Sequence, residues 1–386
     1  MFRIIALVLT FAFLLSACAS SGPGSWPQFR GPNGSASAPD QQVPDRFGPK
    51  EHLQWKRPVA AGSSSPVIWG EHIYLTAHEE EMLQVISLRR SDGQVAWVKQ
   101  LPMRAQEEYL HRDATPAAPT VCVDAKRVYA YFGPYGLVAL DHQGELVWEQ
   151  EFDAENWGFG AGASPILDGD ALYLVRDVPQ AAAVYCFDAA TGQERWVTPR
   201  PDAFQNYTSP YLWHHATGSE LVVGGSGTLR GYNIKTGAEL WVVTNLPAFV
   251  CPSPVAAGEL LIFGGWTTAN IPGPQKLATL FDLGTNFPEG LLQDAPGFVE
   301  FFDKNKDGQI QEAELPEARG RDVFAYIDTN HNGGWEVQEI QDSIDKKALP
   351  GRNVLVAVRA GGRGDITETH VQWEQKKALP YVASPL

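Results

Sequence analysis

Asp188-Ala-Ala-Thr-Gly192-Gln-Glu-Arg-Trp196 decides the fold, because its end recurs along the chain. Gly93-Gln-Val-Ala-Trp97, Gly144-Glu-Leu-Val-Trp148 and Gly237-Ala-Glu-Leu-Trp241 repeat it, each with Trp four residues after a turn glycine, at separations of 51, 48 and 45 residues. A fixed period of this length marks a repeat architecture. Each unit opens with a small residue and Pro before an apolar run: Ser65-Pro66, Ala118-Pro119, Ser164-Pro165, Ser209-Pro210, Ser253-Pro254 and Ser384-Pro385. A turn and two β-rich runs lie between that opening and the Trp, which makes four short strands per unit. Four strands repeating at this period form the blade of an all-β propeller, whose sheets bury their faces against neighbouring blades around a central channel. The Trp falls on the outermost strand, where its indole can cover the gap to the next blade and bond its N–H there.

With these residues in view, the Asp188-to-Trp196 segment resembles the pyrroloquinoline-quinone-type (quinoprotein dehydrogenase-like) propeller repeats. Trp26-Pro-Gln-Phe-Arg-Gly-Pro-Asn-Gly34 is similar to the entry segment of secreted bacterial propellers of that superfamily. The resemblance implies the fold and leaves the activity open. His52-Leu-Gln-Trp55 reads as an outermost strand without its inner three, so it is expected to complete the last blade. Five complete blades follow, and Ser384-Pro385-Leu386 opens a sixth. Such a ring would leave strand edges unpaired, so the chain is expected to be a truncated product lacking blades. The expected organisation is a signal peptide at 1–17, a tether and entry segment at 18–50, and blades at 51–265. An insertion follows at 266–352, then the remainder of the fifth blade and the start of a sixth at 353–386.

Composition agrees with a turn-dense, folded chain. Gly (37) and Pro (28) make about 17% of 386 residues, and 12 Trp within 44% hydrophobic residues argue against disorder. A formal charge of −15 argues against nucleic acid as a partner, since that affinity rests on Lys and Arg neutralising phosphates. Residues 4–15 are an apolar stretch behind Arg3, too short to span a bilayer and the length of a signal-peptide core. Leu15-Ser16-Ala17-Cys18 resembles a bacterial lipoprotein processing box, which implies lipid on Cys18 and a membrane tether only. The expected location is exported and lipid-anchored, at the periplasmic face of the outer membrane. Cys122, Cys186 and Cys251 remain, an odd number in strand-like runs, and read as buried small hydrophobes without a redox role.

The insertion carries the clearest chemistry. Residues 288–345 hold 14 acidic and 4 basic side chains, a net of −10. Asp303-Lys-Asn305-Lys-Asp307-Gly308-Gln309-Ile310-Gln311-Glu312-Ala-Glu314 fits the twelve-residue EF-hand loop at every required position. Ca²⁺ is a hard ion wanting six to eight oxygens. Asp303, Asn305 and Asp307 supply side chains at positions 1, 3 and 5, and Gly308 permits the turn. Gln309 offers its carbonyl, Gln311 acts through water, and Glu314 closes bidentately. Asp328-Thr-Asn330-His-Asn332-Gly333-Gly334-Trp335-Glu336-Val-Gln-Glu339 repeats the pattern, with Asp328, Asn330, Asn332, Gly334, Glu336 and Glu339 as its ligand set. The paired EF-hands occupy about residues 295–345, and apolar residues at helical spacing around both loops give them a small core. Only 13 residues separate the loops, so the helices are expected to be abbreviated. Neutral Asn330 and Asn332, with Gly334 and Trp335, make the second site the weaker expectation. His331 reads as a solvated loop residue.

Topology puts this insertion between the second and third strands of blade five, a connection that emerges on the same face as the links between blades. His111-Arg112-Asp113, Asn156-Trp157-Gly-Phe159, Phe204-Gln-Asn206-Tyr207 and Pro380-Tyr381 belong to those links. The face is expected to meet a protein or saccharide partner. His214-His215 lies in a turn at the opposite face and reads as solvated. The first functional expectation is a calcium-binding, lipid-anchored, extracytoplasmic scaffold without enzymatic activity and without catalytic residues. The alternative is a pyrroloquinoline-quinone-dependent dehydrogenase; such enzymes carry adjacent cysteines near the cofactor and calcium in the channel, and no Cys-Cys pair occurs here. A hydrolase or lyase using Asp113 with His111 has no supporting motif.

Overall fold

The computed structural model describes residues 24–38, 44–104, 114–153, 160–178, 181–280, 288, 290–315 and 324–386. They form five sheets, each built on four antiparallel strands in chain order, with one further short strand added in parallel to the fourth sheet. Blade one comprises β1 (Val67–Trp69), β2 (His72–Glu79), β3 (Met82–Arg89) and β4 (Val95–Pro102), and blade two β5 (Cys122–Val123), β6 (Arg127–Tyr131), β7 (Leu137–Asp141) and β8 (Leu146–Gln150). Blade three comprises β9 (Ile166–Asp168), β10 (Ala171–Arg176), β11 (Ala183–Asp188) and β12 (Glu194–Pro199). Blade four comprises β13 (Tyr211–His215), β14 (Gly218–Gly225), β15 (Thr228–Asn233) and β16 (Glu239–Val243). Blade five comprises β17 (Val255–Ala257), β18 (Leu260–Gly265), β19 (Val354–Arg359) and β21 (Val371–Gln375), with the short β20 (Gly364–Asp365) between its last two strands.

Alternation along the strands sends apolar side chains to both faces, so the core lies between blades. One buried cluster joins blades one and two, a second joins two and three, a third three and four, and a fourth four and five. This is the propeller arrangement that the repeat predicts.

The hydrogen-bond register explains the repeated glycine and tryptophan. In blades one to three a Tyr on the second strand, a small residue on the third and the motif Trp on the fourth stand in one row: Tyr74, Ser87, Trp97; Tyr129, Ala139, Trp148; Tyr173, Cys186, Trp196. The small middle residue lets the two rings meet, with centroids 5.9 to 6.0 Å apart. Each indole then donates to a turn carbonyl of the next blade: Trp97 to His142, Trp148 to Ala189 and Trp196 to Ile234. Tyr129 and Tyr173 donate their hydroxyls to the same carbonyls. The turn glycine of the receiving blade has positive φ, and a Cβ there would lie 2.8 Å or less from the incoming indole at Gly144, Gly192 and Gly237. The motif glycine is therefore both a turn former and the floor on which the previous blade's Trp rests.

Two departures follow from this register. The Trp241 indole does not donate to a turn of blade five. Val222 replaces the Tyr in its row, and the chain after β19 turns back so that β20 pairs in parallel with β16 at Trp241 and Val242. Trp241 accordingly donates to Glu220 Oε2 at 2.6 Å within its own blade. Trp55 lies on no strand, yet it rests on Gly93 and donates to the Arg90 carbonyl, the contact a preceding blade's motif Trp would make.

A belt of hydroxyls links the leading residues. The N–H of Ser65 donates to Thr120 Oγ1, that of Thr120 to Ser164 Oγ, that of Ser164 to Ser209 Oγ, and that of Ser253 to Ser384 Oγ, at 2.9 to 3.0 Å. Blade two therefore leads from Thr120, two residues beyond the Ala118 that the sequence pattern marks. The hydroxyl matters at this position more than the Pro after it.

Candidate metal centre

Residues 266–352 leave blade five between β18 and β19, and their described part folds around its own core. That core runs from Leu277 to Ile344 and includes Phe298, Phe302, Ile310, Leu315, Trp335 and Ile340. Its helices are α1 (Gly273–Leu280), α2 (Ala295–Phe302), α3 (Phe324–Ile327) and α4 (Val337–Asp345). α2 and α4, both of whose ends lie among the described residues, have eight and nine residues. Asp294 caps α2 by accepting from the Gly297 N–H. A neck fastens the unit to the propeller. Asn270 accepts from the Ala248 N–H and donates to the Leu349 and Pro350 carbonyls, while Thr267 and Asn353 exchange two hydrogen bonds.

The two acidic loops run side by side, and Ile310 and Trp335, at the eighth position of each, exchange both backbone hydrogen bonds at 3.0 and 2.9 Å. The loops match position by position. Asp303 Oδ2 accepts from the Gly308 N–H and Asp328 Oδ2 from the Gly333 N–H. Asn305 Oδ1 accepts from Asp307 and Asn330 Oδ1 from Asn332. Glu314 Oε1 accepts from the Lys304 and Asn305 N–H groups, and Glu339 Oε1 from those of Thr329 and Asn330. The second oxygen of each glutamate takes the N–H of Gln311 or Glu336, closing a capping box at the helical turn that follows. Lys306 and His331, fourth in each loop, share a left-handed φ of 63° and 57°, and Gly308 and Gly333 follow at 92° and 87°. Asp307 is held below the usual carboxylate range, chiefly by the Gln309 N–H that it accepts.

Each sequence-predicted site residue thus stands in one of two small loops. Asp303, Asn305, Asp307, Gln311 and Glu314 are gathered in the first, and Asp328, Asn330, Asn332, Glu336 and Glu339 in the second. Gln309 and Gly334 lie across the seam: a Cβ on Gly334 would meet Gln309 Oε1 at 2.3 Å, and Gln309 Nε2 donates to Glu336 Oε1 at 3.0 Å. The sequence pattern did not reveal this link between loops, because it joins two separate matches.

Glu314, Asp328 and Glu339 are more than nine-tenths buried. Among the described residues none of them has a cationic side chain within ion-pair distance, and their recorded partners are backbone N–H groups with one hydroxyl, that of Thr329. Buried carboxylates of this kind are costly unless a cation compensates them. No three acidic, His or Cys side chains of the described residues form a cluster by themselves. A hard cation would therefore draw on amide and carbonyl oxygens as well, as the Asn and Gln positions provide.

Elsewhere the expectations fare differently. Cys122 and Cys186 are buried and Cys251 half-buried, all three unpaired, and burial raises each thiol, to about 12 at Cys186 and about 11 at Cys251. On the mouth, Asn206 is buried and donates to Asp177 and the Gly224 carbonyl, whereas Tyr381 is exposed and packs edge-on to Trp266. His111, Arg112, Asp113, Asn156, Trp157 and Phe159 lie outside the described residues, as do Cys18 and the signal segment. The histidine pair corrects the solvated reading. His214 is exposed, but the His215 side chain is buried against Trp213, with Nε2 3.6 Å from Glu220. Both histidines stand on β13, paired with Ser219 and Gly218 of β14, and not in the expected turn; packing against the Trp213 ring buries the second.

No helix among the described residues is long and apolar enough to cross a membrane. A family model described as outer membrane protein assembly factor BamB matches residues 134–268, from blade two into the start of the insertion. No curated protein matches the chain. Among solved structures it is similar to BamB from Moraxella catarrhalis, at 18% identity over 55% of this chain and 61% of that one, with a TM-score of 0.40. It is also similar to the quinohemoprotein alcohol dehydrogenase ADHIIG from Pseudomonas putida HK5, at 15% identity over 62% of this chain and 43% of that one, TM-score 0.45. The quinohemoprotein alcohol dehydrogenase from Comamonas testosteroni gives 13% identity over 62% and 44%, TM-score 0.46. The chain thus spans less than two thirds of the length of these proteins. Repeat, sheets and family model agree on a propeller of the PQQ-like repeat type.

Proposed function

We propose that this protein is a calcium-binding, lipid-anchored, extracytoplasmic β-propeller that acts as a non-enzymatic binding or scaffold protein. The observation that carries the calcium reading is the burial of Glu314, Asp328 and Glu339 in two equivalent loops without a cationic partner among the described residues. Asp303, Asn305, Asp307, the Gln309 carbonyl, Gln311 and Glu314 would hold one ion, and Asp328, Asn330, Asn332, the Gly334 carbonyl, Glu336 and Glu339 the other. Calcium would supply charge compensation and fix the loops, with affinities of about 10⁻⁴ to 10⁻³ M as in other extracytoplasmic modules. Constitutive occupancy suits such a site better than signalling. The family model's description, outer membrane protein assembly factor, supports a role in bringing protein partners together at the outer membrane; Cys18 would be the lipid attachment. The partner face is the mouth that bears the calcium unit.

A dehydrogenase reading needs a cofactor at the ring axis. That place is lined here by residues 26–34 of the chain itself, and the three cysteines of the described residues are far apart in sequence.

Titration calorimetry with millimolar Ca²⁺ tests the proposal. Two binding events are expected, the second loop being the weaker. Glu314→Gln should remove one, and Glu314→Gln with Glu339→Gln both. Absence of heat, or binding unchanged in the double variant, would sink it.

A further inference from the structure

The entry segment, residues 26–34, lies along the inner ends of the blades. Trp26 exchanges both backbone hydrogen bonds with Ile68 of β1, at 2.8 and 2.9 Å. The Pro27 carbonyl accepts from the Val123 N–H of β5 at 2.8 Å, and Gln28 Oε1 lies 3.4 Å from the Leu167 N–H of β9. Gly34 rests on the Tyr211 ring of β13, 3.4 Å from where its Cβ would be. Arg30 reaches further, donating from Nη2 to the Pro385 carbonyl, beyond blade five. One short segment therefore touches the innermost strand of four successive blades. Those strands are the terminal ones of their sheets, so their outer edges have no further strand of the blade to pair with.

The segment is itself preorganised. Gly31 N–H donates to the Gln28 carbonyl, Gly34 N–H to Gly31 and Ala36 N–H to Arg30. Gly31 sits at φ 70° against the Trp26 ring, which a Cβ would approach to 2.5 Å. The cavity left between Arg30, Tyr211 and Ser253 is about 10 Å³, room for about one water molecule.

We infer that the channel of this propeller is a peptide-binding site, and that residues 26–34 are its resident ligand. The site reads the peptide by strand pairing at Ile68, by the Val123 N–H, which donates to the Pro27 carbonyl, and by the Pro385 carbonyl, which accepts from the Arg30 guanidinium. It staples blades one to four together, and any small molecule bound on the axis must first displace it. The inference is independent of the acidic loops, so its test and the calorimetry fail separately.

A protease recognition sequence substituted at residues 44–47 of the full chain, which are exposed, permits cleavage after folding. The amino-terminal fragment is expected to remain bound through size exclusion in native buffer, and to separate only in denaturant. In the uncleaved chain, Gly31→Ala is expected to speed amide exchange at Ile68 and Val123 by about tenfold or more, leaving Val222 unchanged. A fragment that leaves the folded protein freely overturns the inference. So does exchange at Ile68 and Val123 that Gly31→Ala does not alter in a chain retaining its wild-type circular dichroism.

Discussion

Gly192 does two things that a sequence scan records as one. Its φ of 74° suits the turn, and it leaves space for Trp148, whose ring atoms would lie 2.6 Å from a Cβ. Gly169 has a similar φ of 60° with nothing within 4 Å. Gly169→Ala should therefore cost only the backbone penalty, about 1 kcal/mol, while Gly192→Ala should cost about 2–4 kcal/mol because a half-buried indole must also move. Equal losses in urea denaturation would show that the glycine is not the floor for the Trp. Beside it, Arg195 donates to Asp188 at 2.7 Å and holds that carboxyl down to about 2. A depressed carboxyl stabilises the fold above its unfolded value, near 4, and the contribution is lost as pH falls through about 2. The stability gap between wild type and Asp188→Asn should thus be present near pH 6 and close towards pH 2. A gap that widens on acidification would contradict this. The pair is partly exposed, so the gap should stay at or below about 1 kcal/mol. The Gly and Trp were legible because they recur. Tyr129 and Tyr173, which donate to the same carbonyls as the indoles, were not, because Tyr among apolar strand residues looks like ordinary core.

At the level of elements, the join between blades four and five breaks the repeat. Glu220 is buried on β14, where it accepts from Trp241 at 2.6 Å and from Arg363 at 3.1 Å, and His215 lies 3.6 Å away. Arg363 precedes β20, so this carboxylate fixes the strand that blade five's chain lends to blade four. Glu220→Gln keeps the shape but turns an NH₂ towards one of two donors, which should cost about 2–3 kcal/mol in chemical denaturation. A loss under about 0.5 kcal/mol would assign the join to β20 pairing alone. The sequence offered no sign of this clasp, since Glu220 and Arg363 are 143 residues apart and match no repeat. By contrast, the two acidic loops could be read before folding: ligand spacing is local, and the loop dictates its own turn through Asp303 and Gly308. What spacing could not give is the seam, in which Gln309 of one loop donates to Glu336 of the other.

Across the whole molecule, the buried clusters separate into two kinds. Among the described residues five lie in the propeller, four shared between adjacent blades and one on blade one against Trp55, whereas the cluster from Leu277 to Ile344 contains no propeller residue. The neck at Thr267, Asn270, Asn353 and the Leu349 and Pro350 carbonyls holds the two together by hydrogen bonds, without merging the cores. Separate cores imply separate cooperative units. Calorimetric melting should accordingly show two transitions. If the loops hold calcium, the transition of the inserted unit should rise with ion concentration, by about 2.7 kcal/mol of stabilisation at a hundredfold excess over the dissociation constant. The propeller transition should stay where it is, because its blades are stapled through the channel and not through the insertion. Chelator should then lower only the first transition. A single transition, or two that move together with calcium, would mean that the neck couples the cores more tightly than its hydrogen bonds suggest, and the scaffold would have to be treated as one unit.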